Sequence, residues 1–218
     1  MADTKQIILP IKGMTCANCV ATAKEIRGMG AEVEVIHASF LNPQEATDTF
    51  KVIFNQADDL YALVNNASIF QPLKFKNTTL TDWQTHLDVN LTVPFLLSQT
   101  FQESLGNRKG KIINILDWRA LRPGRDHFPY TISKAGLAAL TKTMALTMAP
   151  NISVNGIALG AILPPSDGNK DNSSIIDPVP MARWGGVEEL KDLFLFLLTA
   201  PDYITGEIIH LDGGRHLV

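Results

Sequence analysis

The chain has 218 residues, 45% of them hydrophobic, and a formal net charge of −3. That length can bury a full core in one domain, while the small charge and scattered lysines and arginines exclude a polyanion footprint. No apolar run is long enough to span a membrane, and residues 1–6 lack the basic start and apolar stretch of a secretory leader, so a soluble, cytoplasmic protein is expected.

Taken in chain order, apolar runs at 7–11, 33–36, 60–64, 111–116, 152–157 and 207–211 predict six strands. Helical periodicity fills the gaps at 16–28, 43–54, 81–105, 130–148 and 187–198. Strands alternating with helices imply a three-layer, doubly wound α/β fold with a parallel sheet, read as one domain over residues 1–218. Several runs are almost continuous in Val, Ile and Leu, as strands covered on both faces should be. Pro10, which lacks a backbone N–H, points to an edge or a bulge in the first strand. Asn42 followed by Pro43 is a helix start, and Thr81 followed by Asp82 is read as another. The polar stretch 164–174 is expected to be a loop and a candidate lid.

Two spacings carry chemistry. Cys16 and Cys19, the only cysteines, are three apart on a loop entering a helix, which lowers thiol pKa and aims both sulfurs at one soft ion such as Cu(I) or Zn(II). A redox dithiol, or two inert thiols, would show the same spacing. Tyr130 and Lys134 are four apart and share a helix face, where an ammonium beside a phenol favours the phenolate and readies it for proton exchange. An ordinary amphipathic helix would carry the same pair, so the pair alone does not decide.

Several ordered segments do. Leu63, Val64, Asn65, Asn66, Ala67 and Ser68, then Asp88, Val89 and Asn90, then Tyr130 to Lys134, then Thr205, Gly206 and Asp212, Gly213, Gly214 together resemble the short-chain dehydrogenase/reductase family across about residues 24–218. The resemblance implies a Rossmann-like fold and hydride transfer with NADP or NAD. Asn65, Asn66, Ala67, Tyr130, Lys134 and Gly160 would border the cofactor, and Asn90 would hold a water in a proton relay. Asp117 stands thirteen residues before Tyr130, where most of the family has a serine and the pteridine reductases have an aspartate. Within that branch Asp117, Ser68 and Phe70 would contact a flat pterin or folate-like substrate, with Phe70 stacking on it. Asn90, Asp117, Tyr130 and Lys134 are thus the expected catalytic set. A loop after a strand would also place a solvated Asp117, with Trp118 and Arg119 merely covering the surface. The family further implies a homo-oligomer paired through helices 81–105 and 130–148.

The family's glycine-rich turn, which lets a pyrophosphate approach a helix N-terminus, has no counterpart in the opening residues. One βα unit is therefore read as missing, and the six strands are expected in the flavodoxin-like order 2-1-3-4-5-6. In its place Gly13, Met14, Thr15, Cys16 and Cys19 resemble the start of a heavy-metal-associated domain over residues 1–23. Two further functions stay open beside the reductase: a soft-metal-binding protein, and a recombined, chimeric fold without catalysis.

Overall fold

The computed structural model describes residues 6–12, 24, 26–57, 59–164 and 173–218. Strands β1 (Gln6–Lys12), β2 (Glu32–Ala38), β3 (Ala62–Asn65), β4 (Gly110–Asp117), β5 (Ile152–Leu159) and β6 (Ile208–Leu211) fall on the six expected apolar runs. The helices are α1 (Pro43–Gln56), α2 (Leu80–Leu87), α3 (Val93–Leu105), α4 (Phe128–Met148), the short α5 (Ser173–Ile176) and α6 (Val187–Thr199). Residues 26–28 are helical and end in a turn at Gly30, but most of the first expected helix lies outside the described residues. So do Cys16, Cys19 and residues 165–172 of the expected lid.

Every strand pair is parallel, but the strands form two sheets, β1-β2 and β3-β4-β5-β6. The continuous order 2-1-3-4-5-6 is therefore not formed: among the described residues β1 pairs with β2 and not with β3. Two expectations were in conflict here. Pro10 has no N–H and suits an edge, whereas that order would put β1 between two partners. The edge position holds.

The core explains how the two sheets stay together. The largely apolar strands β4 and β5 are buried almost end to end, with Ile112, Val154 and Ile157 fully covered. Beside them a chain of rings, Phe40 to Phe50 to Phe54 to Phe101, runs from the end of β2 through α1 to α3 at centroid spacings of 6.1, 5.7 and 5.9 Å. Aromatic pairs at such spacings add about 0.5–1.5 kcal/mol each beyond their buried area.

Capping sets the helix starts. Asn42 accepts from the Glu45 N–H ahead of Pro43, as the sequence predicts. The second cap is Thr79, not Thr81: its hydroxyl accepts from the Asp82 N–H while the Asp82 carboxylate takes the Thr79 N–H and hydroxyl. This reciprocal box satisfies more orphan donors than Thr81 could, so the helix begins two residues earlier than a Thr81 cap would set it. The single helix expected over 81–105 is broken by a π-turn at Asp88–Thr92, a wider i→i+5 bulge that centres on Asn90.

Candidate active site

The carboxyl ends of β3, β4 and β5 lie side by side and deliver Asn65, Asp117 and Gly160 to one edge of the sheet, the crevice where open α/β sheets bind ligands. Asn65 Nδ2 donates to Asn114 Oδ1 at 2.8 Å and Ser98 Oγ at 3.3 Å, and Asn114 Nδ2 donates to Thr141 Oγ1 at 2.8 Å. All four side chains are buried, so this satisfied polar network fixes the β3 end against β4, α3 and α4. Asn66 is exposed and Ala67 half-buried; with Phe40, Asn65, Val89 and Pro94 they line a groove beside β3.

Asn90 is fully buried, and its amide is saturated by the protein. Oδ1 accepts from the Ile69 N–H at 2.9 Å and Ser68 Oγ at 3.1 Å, while Nδ2 donates to the Ile69 carbonyl at 3.1 Å and Ser133 Oγ at 3.0 Å. Two donors and two acceptor sites are all an asparagine has. The side chain therefore ties the segment after β3 to α4, and the water-holding role expected for it does not fall to its amide. Ser68, an expected substrate contact, spends its hydroxyl on Asn90 in the same brace.

Tyr130 and Asp117 meet as the sequence predicts. The phenol donates to Asp117 Oδ2 at 3.1 Å. Lys134 shares the helix face but not the expected role: its Nζ, 2% exposed as a residue, donates to the Ile115 carbonyl at 2.7 Å and lies 5.9 Å from the Tyr130 ring centre. Burial pushes the phenol well above its ordinary range, and the Asp117 charge and hydrogen bond push it further, with Arg119 opposing. The expected phenolate is therefore not favoured here, because the nearest charge is a carboxylate and the amine is held by the β4 backbone. Burial also lowers Lys134, to about 8, against the pull of Asp117.

Phe70 is half-exposed, and its ring edge meets Tyr130 at 4.7 Å. One of its faces is stacked at 3.9 Å and 7° on His127, which sits in the left-handed region at the start of α4 and bonds Asp126 at 2.9 Å. An imidazole thus occupies the kind of position expected for a flat substrate ring. Gly160 has a packing reason independent of any ligand: a Cβ there would lie 2.5 Å from Asp212 Cα, where the ends of β5 and β6 cross. Sequence reasoning missed Asn114, Ser133, His127 and Arg119. Ser133 lies inside the Tyr130–Lys134 segment and could have been flagged; Arg119 entered only in the alternative that made it surface cover, yet it stands 3.6 Å from Asp117 and 3.5 Å from Asp126.

Residues 14–216 match the family described as Enoyl-(Acyl carrier protein) reductase. The chain is a short-chain dehydrogenase/reductase. This reductase-family chain is 32% identical to the 3-oxoacyl-[acyl-carrier-protein] reductase FabG of Aquifex aeolicus (strain VF5), over 94% of this chain and 85% of that one. It is 36% identical to a 2-dehydro-3-deoxy-D-gluconate 5-dehydrogenase of Bacillus subtilis (strain 168), over 79% and 70%. Among solved structures it is similar to FolM Alternative dihydrofolate reductase 1 from Brucella canis complexed with NADP, with TM-score 0.85, 29% identity, and 98% and 84% coverage. The family match runs through Cys16 and Cys19, and nothing in these similarities supports a heavy-metal-associated segment or a metal-binding alternative. Among the described residues no group of three or more His, Cys, Asp or Glu side chains is placed to hold a metal ion, and no helix is long and apolar enough to cross a membrane.

Proposed function

We propose that this chain is an NAD(P)H-dependent reductase of pteridine-reductase type, acting on a ring C=N of a pterin or folate-like substrate. The observation that carries the reading is the Tyr130–Asp117 hydrogen bond, with a carboxylate at the end of β4 where most of the family has a serine hydroxyl. The similarity to a solved alternative dihydrofolate reductase points the same way.

The crevice of Phe40, Asn65, Asn66, Ala67, Val89 and Pro94 is small and largely apolar and lies at the carboxyl end of β3, where a dinucleotide of this family would run, so it would border the cofactor rather than enclose it. Asn66, Ala67, Tyr130, Lys134 and Gly160 would hold it, and when bound it supplies the hydride. Residues 13–23, which follow β1 where a pyrophosphate-binding turn would stand, lie outside the described residues.

The chain's own part is proton handling and alignment. As hydride adds to the ring carbon, the ring nitrogen takes a proton from the Tyr130 hydroxyl, and solvent restores it by way of Asp117. Burial and Asp117 hold that proton tightly on Tyr130 in the ligand-free site, so donation requires the bound substrate to take the place of Asp117 as partner of the phenol. Asp117 also accepts from amino and ring N–H groups of a pterin, a recognition that a serine performs with one oxygen instead of two. Phe70 offers a ring face to the substrate once His127 swings off it.

NADPH oxidation assayed with dihydropterin and dihydrofolate, against a 3-oxoacyl thioester as the substrate class of the Aquifex relative, tests this directly. Turnover of the pterin compounds, lost by at least about a hundredfold in Tyr130→Phe, is expected. Turnover of the thioester alone would move the function to the acyl-reductase class.

A further inference from the structure

We infer that Arg119 is a positioning residue of this site: it aligns the Asp117 carboxylate on Tyr130 and supplies the neighbouring positive charge that Lys134 does not. The inference rests on the reductase reading for its kinetic consequence, but the geometry stands by itself.

Asp117 ends β4 and also caps the turn Trp118–Ala120, so its carboxylate is placed by backbone before any ligand arrives. Oδ1 accepts the Arg119 N–H at 2.8 Å and faces Arg119 Nη1 at 3.6 Å. With Oδ1 engaged from that side, Oδ2 is the oxygen left to Tyr130. The division is chemical as well as steric: the oxygen that faces the guanidinium is held by a charge-assisted contact, and the other is free to accept from the phenol.

The guanidinium is itself held. It lies 4.8 Å from the Trp118 ring centre and 5.8 Å from that of Phe70, and its Nη2 is 3.5 Å from Asp126 Oδ2. Arg215, from the C-terminal turn Arg215–Leu217, covers Trp118 at 4.6 Å, and Arg122 Nη1 reaches the Arg215 carbonyl at 3.4 Å. Two guanidiniums thus contact the Trp118 ring, which links Arg119 to the C-terminal turn. Guanidinium over an aromatic face is a favourable and geometrically demanding contact that a lysine ammonium copies poorly. The groups around Asp117 are then Arg119 from the turn, Tyr130 and Lys134 from α4, and Asp126 with His127 from the segment before it. Of the two cations, Lys134 is committed to the Ile115 carbonyl and Arg119 is the one in contact with the carboxylate.

Carbon-13 NMR of the aspartate carboxylates in the full chain at pH 7 reads the pair without any cofactor, with Asp117→Asn identifying the resonance. Arg119→Gln is expected to move the Asp117 carboxylate resonance as Oδ1 loses the guanidinium, and Arg119→Lys to move it less. In the reductase assay Arg119→Gln should lower kcat about tenfold with KM for the reduced nicotinamide within about twofold, and Arg119→Lys should recover part of the loss. An unmoved Asp117 resonance in folded Arg119→Gln protein, or an equal change in Arg119→Gln and Arg119→Lys, overturns the inference. Absence of turnover in the wild-type chain would count against the proposed function alone, since the carboxylate resonance would still decide the role of Arg119.

Discussion

Lys134 shows how one buried residue trades stability for position. It is 2% exposed and its amine is lowered to about 8 from an ordinary 10.5, with burial as the main cause. Between those two values the unfolded chain keeps a proton that the folded chain has lost, so unfolding becomes harder as pH rises through that window. Below about 8 both states hold the proton and the cost of burying the charge is felt in full. A depression of this size corresponds to roughly 3 kcal/mol. Lys134→Met removes that cost while leaving the Ile115 carbonyl unpaired, a loss of about 1 kcal/mol. The variant should therefore gain on wild type at pH 7 and lose that advantage by about pH 10.5. Urea unfolding of both proteins across pH 7–10.5 reads the difference curve, and parallel curves would show that the amine is not depressed.

At the scale of elements, periodicity and capping residues located the six strands and four of the helices because each depends on a local rule. Ile112 to Leu116 in β4 reads as a doubly covered strand whatever lies next to it. The helix start at Thr79 was misplaced by two residues since Thr81 stands directly before Asp82 while Thr79 is followed by Leu80, and the reciprocal bonds with Asp82 are what favour Thr79. Three features were not legible: the π-turn around Asn90, the stacking of His127 on Phe70 and the engagement of Arg119 with Asp117. Each depends on which segment packs opposite, and no spacing in the chain records that. The Tyr130–Asp117 contact was legible because the family pattern places both residues, yet the direction of the phenol's shift was not, for it turns on where the Lys134 amine is anchored. The cap is also directly testable. Thr79→Ala should cost about 1 kcal/mol, or about 2–4 °C in Tm for a chain of this length. The Thr79 hydroxyl and N–H hold the Asp82 carboxyl below its ordinary 3.8, so the wild-type advantage is full above that value. It should shrink as pH falls through the lower folded value, and a gap independent of pH would assign the loss to the threonine alone.

Across the whole molecule the division into two sheets makes a demand that a continuous six-stranded sheet would not. β4 and β5 each have a partner on both sides, whereas among the described residues β1 and β2 pair only with each other, and β2 leads into the ring chain of Phe40, Phe50, Phe54 and Phe101. A two-stranded ribbon is marginal without such packing, and opening it exposes fewer buried contacts than opening the central sheet. Backbone amides of β1 and β2 should therefore exchange with solvent by a local opening, well ahead of those in β4 and β5, which should exchange only on global unfolding. The groove proposed to border the dinucleotide is lined by Phe40, which follows β2, and by Asn65 to Ala67 at the end of β3, so it lies at the junction of the two sheets. A ligand bound there favours the closed junction and slows that opening by mass action, about a hundredfold at a hundred times its Kd. Hydrogen exchange with mass-spectrometric readout, with and without NADPH, measures both effects on the same peptides. Equal protection in β2 and β4 without ligand would mean that β1 does pair with β3 in solution; protection by NADPH confined to β4 and β5 would remove the groove beside Phe40 from the binding site.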